Sequence, residues 1–224
     1  MRSALQQLVL RHEALRTTIS PDGTTLCIAE SLDLEVPEID LSGLNVTERE
    51  ARVAKIRLQA VELPFNLEHG PLFRSQILKI EPEEHLVIIA AHHIICDGWS
   101  WAVMMPDLGN LYSALKQGEI PDLAEPERFS DYAIERADAV DDEESIATEA
   151  YWLSQFAESI PLVDLPTDRP RAPLRTFNSA REDWDLSPIL VSSLKQLGTK
   201  FGCSFMTTLL SGFEVWLYRL TGQD

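Results

Sequence analysis

The sequence predicts an α+β fold, a mixed sheet packed against helices, and three observations carry that prediction. The elements run helix, short strands, helix, strand pair and then helices only, which is not the strict alternation of a doubly wound sheet. The strand pair, 73–80 and 85–92, is joined by Glu81-Pro82-Glu83-Glu84, a connection short enough only for antiparallel neighbours. The glycines, Gly98 among them, are isolated, so no glycine-rich phosphate loop is present.

Residues 4–15 place Leu5, Leu8, Val9, His12 and Leu15 at helical spacing, a helix already under way at residue 4, as expected of a chain that starts inside a larger domain. Short strands are expected at 16–20 and 24–29 around the turn Pro21-Asp22-Gly23, with a further extended piece at 35–40. Thr47 and Glu50 have capping-box spacing, and Val53, Ile56, Ala60 and Leu63 continue a helix that Pro64 ends. In 73–80 one face is strongly apolar and the other mixed. Residues 86–91, Leu-Val-Ile-Ile-Ala-Ala, are apolar on both faces, which predicts a central strand. A helix over 99–117 should kink or restart at Pro106. Residues 118–127 read as loop. Residues 130–156 read as helix, with the acidic patch Asp138, Asp141, Asp142, Glu143 and Glu144 as a solvated break. The stretch 162–176 is Pro-rich and extended, 180–185 is a strand candidate, and 188–201 and 204–220 are helices. The last of these aligns Phe205, Leu209, Phe213, Trp216, Leu217 and Leu220 on one face.

A chain of 224 residues fits one or two domains with a sizeable core. Its 19 Lys and Arg against 36 Asp and Glu give a net charge of −17, which disfavours nucleic acid and anionic membrane surfaces as partners. The longest apolar run, 86–91, is far short of a bilayer span, and the N-terminus lacks the continuous apolar stretch of a signal peptide. Cys27, Cys96 and Cys203 are far apart and odd in number, which argues against a disulfide framework and for a reducing cytoplasm.

The dense polar cluster is His92-His93-Ile94-Ile95-Cys96-Asp97-Gly98, directly after the most apolar strand. A strand sends successive side chains to opposite faces, so one histidine should pack while the other projects into a cleft. Imidazole is the side chain suited to proton transfer near neutral pH. A metal reading lacks a third ligand, and a thiolate at Cys96 is disfavoured by the neighbouring Asp97.

His92-His93-x-x-x-Asp97-Gly98 resembles the HHxxxDG signature of nonribosomal peptide synthetase condensation domains, members of the chloramphenicol acetyltransferase-like superfamily. Three further stretches share the resemblance, in order and across nearly the whole chain. Arg11-His12-Glu13-Ala14-Leu15-Arg16-Thr17 resembles the family's RHExLRT motif. Tyr151-Trp152 through Leu165-Pro166-Thr167-Asp168-Arg169-Pro170-Arg171 resembles its YW…LPTDRPRP motif. Residues 204–224 resemble the helix that precedes the second half of such domains. Departures are Glu135-Arg136 after Asp131-Tyr132-Ala133, and Pro106-Asp107 where a Glu is common. By the resemblance, these departures put docking-surface details in doubt and not the chemistry.

The resemblance implies a chloramphenicol acetyltransferase-like lobe. Residues 1–224 would be the N-terminal lobe of a condensation domain, cut short at both ends, with the second lobe absent. It implies peptide bond formation between a donor acyl or peptidyl thioester and an acceptor aminoacyl amine. Both substrates would ride on phosphopantetheine arms of donor and acceptor carrier domains, with an adenylation domain downstream and no cofactor bound by this chain. It implies that His93 is catalytic, as base or as positioning group. His92, Asp97 and Gly98 would be supporting residues, with Gly98 letting its backbone lie near the thioester. Asp97 would be paired to Arg16, or less readily to Arg11. The isolated lobe would be inactive. The rival readings are a free-standing coenzyme A-dependent acyltransferase of the same superfamily and a non-catalytic carrier-docking lobe.

Overall fold

The first helix, α1 (Arg2–Arg11), buries Leu5, Leu8 and Val9 along one stripe, and ends before the helical pattern does. His12 is extended, and a 3-10 turn over Glu13–Arg16 follows. On one helix Arg11 and His12 would diverge by about 100°. The extended backbone at His12 lets both side chains reach a single carboxylate oxygen on Asp107, each at 2.8 Å. The computed structural model describes residues 1–223 except 159, 161, 171 and 175–179, and divides into two units, 1–148 and 149–224.

In the first unit, β1 (Thr17–Ile19) and β2 (Leu26–Ile28) form an antiparallel hairpin, as the turn residues predict. Asp22 accepts from Ser20 Oγ and from the Thr24 N–H and hydroxyl, and Gly23 supplies the left-handed residue at φ 74°. The main sheet is mixed. β3 (Glu38–Asp40) runs parallel to β4 (Phe73–Lys79), and β4 is antiparallel to β5 (His85–Ala91) in the register Phe73↔Ala91 to Lys79↔His85. Among the described residues β4, not β5, is the central strand. The two-faced apolarity of β5 has a different cause: its sheet is covered on both sides. Val87, Ile89 and Ala91 pack toward the core of α1 and α3 (Gly98–Gln117). Leu86 and Ile88 pack toward Ile56 of α2 (Val46–Glu62). Phe73, Leu5 and Leu8 are fully buried, each stabilising by about 1.5–3 kcal/mol.

The capping box of α2 is Asn45 with Glu48, not Thr47 with Glu50: Asn45 Oδ1 accepts from Glu48 N–H at 3.0 Å. α3 continues through Pro106 without restarting, and Gly118, left-handed at φ 72°, closes it. Met104, Leu108 and Leu111 are buried around Pro106, so packing against α1 offsets the lost backbone bond. The predicted 130–156 helix is α4 (Phe129–Asp138), a 3-10 turn, and α5 (Glu143–Gln155), which crosses the boundary between the units. The acidic patch is the break, where Asp142 caps by accepting from Ser145 N–H at 2.7 Å.

In the second unit, Ser187 and Ser204 cap α6 (Pro188–Lys200) and α7 (Phe205–Thr221). The two helices meet at Gly198, where a Cβ would lie 2.5 Å from Thr208 Oγ1. Gln223 clasps the Pro-rich stretch, accepting from Asp164 N–H and donating to Leu162 O. Residue 171 and residues 175–176 of that stretch lie outside the described residues. The strand expected at 180–185 is not formed. That segment has no neighbouring strand edge among the described residues, and Arg181 pairs locally with Asp183. Among the described residues no helix is long and apolar enough to cross a membrane.

Candidate active site

β5 ends at Ala91, and the next six residues are held by bonds that begin at His92. Its N–H donates to Leu72 O at 2.9 Å, which ties the strand end to the start of β4. Its carbonyl accepts from Ile95 N–H at 3.0 Å, and its Nδ1 accepts from Ile94 N–H at 3.1 Å. The result is a tight turn over His93, Ile94 and Ile95. Ile95 and Cys96 are buried and anchor the turn in the core. His92 is half-buried, with its ring T-shaped to Phe65 at a centroid distance of 5.9 Å, whereas His93 is exposed.

Asp97 is the N-cap of α3. Its Oδ1 accepts from Ser100 N–H at 2.8 Å and from Ser100 Oγ at 2.7 Å, and Ser100 Oγ accepts from the Asp97 N–H at 3.0 Å. These bonds hold its carboxyl below the usual range. The expected ion pair to Arg16 or Arg11 is therefore corrected: Asp97 is exposed and hydrogen-bonded within its own cap, so no buried charge demands a counterion. Gly98 is the first residue of α3 and not left-handed, and among the described residues a Cβ there would meet nothing within 4 Å. Neither backbone conformation nor packing among the described residues requires glycine there.

The two arginines serve other partners. Arg11 Nε and His12 Nε2 both donate to Asp107 Oδ2, and Arg11 Nη2 also bonds Ala124 O. Burial pushes the Asp107 carboxyl up, but the bonds from Arg11 and His12 outweigh it and hold it low. Arg16 Nη1 bonds Ala29 O, and Arg16 Nη2 lies 4.0 Å from Glu13. Glu13 accepts from Ser130 N–H at 2.9 Å. The RHExLRT-like segment thus ties α1 to α3, to the loop before α4 and to α4 itself, without touching Asp97. Sequence reasoning does not single out Ser100 or Asp107 as site supports. The Asp97-x-x-Ser100 spacing is a capping-box signal that points to the first. No local pattern announces Asp107, whose partners are 95 and 96 residues away.

Burial raises the Cys96 thiol, which argues further against a thiolate nucleophile. A cavity of about 680 Å³ lies between α2 and the sheet, lined by residues including Ile56, Leu63, Phe73, Arg74 and Ile88, and His92 and His93 are not among them. The exposed histidine therefore does not open into that cavity.

The family description "Condensation domain" matches residues 1–224, the whole chain. The chain belongs to the condensation-domain family. One of the linear gramicidin synthase proteins of Brevibacillus parabrevis is 36% identical over 99% of this chain, which spans 3% of that relative. One of the plipastatin synthase proteins of Bacillus subtilis (strain 168) is 35% identical over 100% of this chain, which spans 6% of it. The SgcC5 protein of Streptomyces globisporus superposes on 99% of this condensation-domain chain, and on 50% of its own, with a TM-score of 0.76 and 24% identity. The EpoB cyclization-docking bidomain of Sorangium cellulosum matches 98% of this chain and 44% of its own, with a TM-score of 0.77 and 24% identity. The condensation domain thus has the α+β, chloramphenicol acetyltransferase-like fold of these structures, and it covers a small fraction of the length of its synthetase relatives.

Proposed function

We propose that this chain is the N-terminal lobe of a peptide-bond-forming condensation domain acting in cytoplasmic nonribosomal peptide synthesis. The donor is an acyl or peptidyl thioester and the acceptor an aminoacyl thioester, each on the phosphopantetheine arm of a carrier domain. A second lobe of the same domain supplies the opposite wall, and an adenylation domain follows. The acceptor amine nitrogen attacks the donor thioester carbonyl. The C–N bond forms, the C–S bond breaks, and the donor arm leaves as a thiol. His93 acts on that nitrogen, either by taking the proton it loses and returning it to the leaving sulfur, or by holding the amine in line for attack.

The observation that carries this reading is the division of labour at the end of β5: His92 is spent on backbone and packing contacts, and His93 stands exposed on the turn those contacts fix. The open space over Gly98 suits close approach of an arm. In the whole synthetase, His93→Ala is expected to lower peptide formation at least about 100-fold while both carriers still load. Product assay with loaded carriers, beside thermal unfolding of the variant, checks this; full turnover by a folded His93→Ala synthetase overturns it.

A further inference from the structure

One side chain from outside its own segment, Phe65, meets the His92 ring, and Arg74 holds that side chain in place. Arg74, on β4, donates from Nη1 to Leu63 O at 3.0 Å and from Nη2 to Pro64 O at 2.6 Å, gripping the chain where α2 ends. The same guanidinium lies 3.8 Å from the centroid of the Phe65 ring. Phe65 in turn makes a T-shaped contact with the His92 ring, at 5.9 Å and 82°. At the far end of this stack, His92 Nδ1 accepts the Ile94 N–H. An accepting Nδ1 carries no proton, so neutral His92 carries its proton on Nε2. A flipped ring would withdraw Nδ1 and leave the Ile94 N–H without this partner, loosening the turn at the residue next to His93.

We propose that Arg74 and Phe65 are positioning residues of the condensation site, bracing the His92 ring so that the turn presenting His93 keeps one shape. The proposal rests on the reading of His93 given above. Arg suits the role because its planar fork spans two carbonyls while lying against an aromatic ring; a lysine ammonium does one or the other. Phe65 suits it because its ring makes a T-shaped contact with imidazole, which a branched aliphatic side chain of similar bulk does not.

The test compares Phe65→Leu, Phe65→Tyr and Arg74→Lys in the ¹⁵N-histidine-labelled 224-residue chain and in the whole synthetase. Nitrogen NMR reads the His92 tautomer, and hydrogen exchange reads the Ile94 amide. Phe65→Leu and Arg74→Lys are expected to shift His92 from the Nε2-protonated form toward a mixture and to speed Ile94 exchange. In the synthetase, kcat for condensation should fall roughly 10–100-fold with KM for the carriers unchanged. Phe65→Tyr should restore both readouts. Arg74→Lys keeps the charge and the aliphatic stem, so the test does not hang on the folding of Phe65→Leu. Retention of the wild-type tautomer and exchange in Phe65→Leu overturns the brace. So does a lost signature with kcat within about twofold of wild type. These failures are distinct from full turnover by His93→Ala, which overturns the reading of the site on which the brace acts.

Discussion

Asp107 takes two charge-assisted bonds on one oxygen while its side chain is only 14% exposed, and it joins α1 to α3. Its carboxyl is held low in the folded chain, below the ordinary value it regains on unfolding. The stability it contributes is therefore present above the unfolded value and is lost as pH falls through the folded one. Acid unfolding of wild type should be steeper below about pH 4 than that of Asp107→Ala, which has no such carboxyl to protonate. At neutral pH, Asp107→Ala should cost about 1–3 kcal/mol, because Arg11 and His12 lose their shared acceptor in a half-buried site. Urea denaturation at neutral pH and again below about pH 4 measures both effects. Equal acid slopes for the two proteins would show that Asp107 is not the responsible group.

At the scale of elements, patterns within a segment are legible in the sequence and pairings between segments are not. The alternation in 73–80 and the short turn after it predict β4 and its antiparallel partner. Asn45-x-x-Glu48 and Thr47-x-x-Glu50 match the same capping pattern, and the sequence offers no reason to choose between them. The structure chooses Asn45, which brings Ile56 onto the Leu41–Leu78 cluster. Asn45→Ala should accordingly cost about 1 kcal/mol, and Thr47→Ala less than about 0.5. A larger loss in Thr47→Ala, read from urea midpoints, would contradict the assignment of the cap. The apolar run at 86–91 misleads in an instructive way. Apolarity on both faces reports a layer above and a layer below, and says nothing of whether a strand lies on each side. At the site, the His-His-x-x-x-Asp-Gly spacing locates the turn, because most of the bonds that shape it are local. The partner of Asp97 is not legible there, because pairing it with an arginine presumes a buried carboxylate, and burial is decided by the rest of the fold.

The whole chain carries −17, and its ion pairs among the described residues engage few of its 36 acidic side chains. Self-repulsion should therefore outweigh attraction between exposed charges. Raising monovalent salt from about 0.01 M to about 0.1 M shortens the screening distance from roughly 30 Å to roughly 10 Å and should raise the melting temperature. A fall in melting temperature on adding salt would mean that attractive pairs dominate.

The hydrogen bonds and the ring contact that shape the turn at His93 come from residues 65–100, the Leu72 carbonyl, the Phe65 ring, the Ile94 and Ile95 amides and the Ser100 cap, and its buried Ile95 and Cys96 share a core with residues of α1 and α3. None of these lies beyond residue 148, where the first unit ends. These contacts thus all lie within the first unit. Hybrid synthetases spliced downstream of that boundary keep every one of these residues, so hydrogen exchange at the Ile94 amide of such a hybrid should match that of the parent chain.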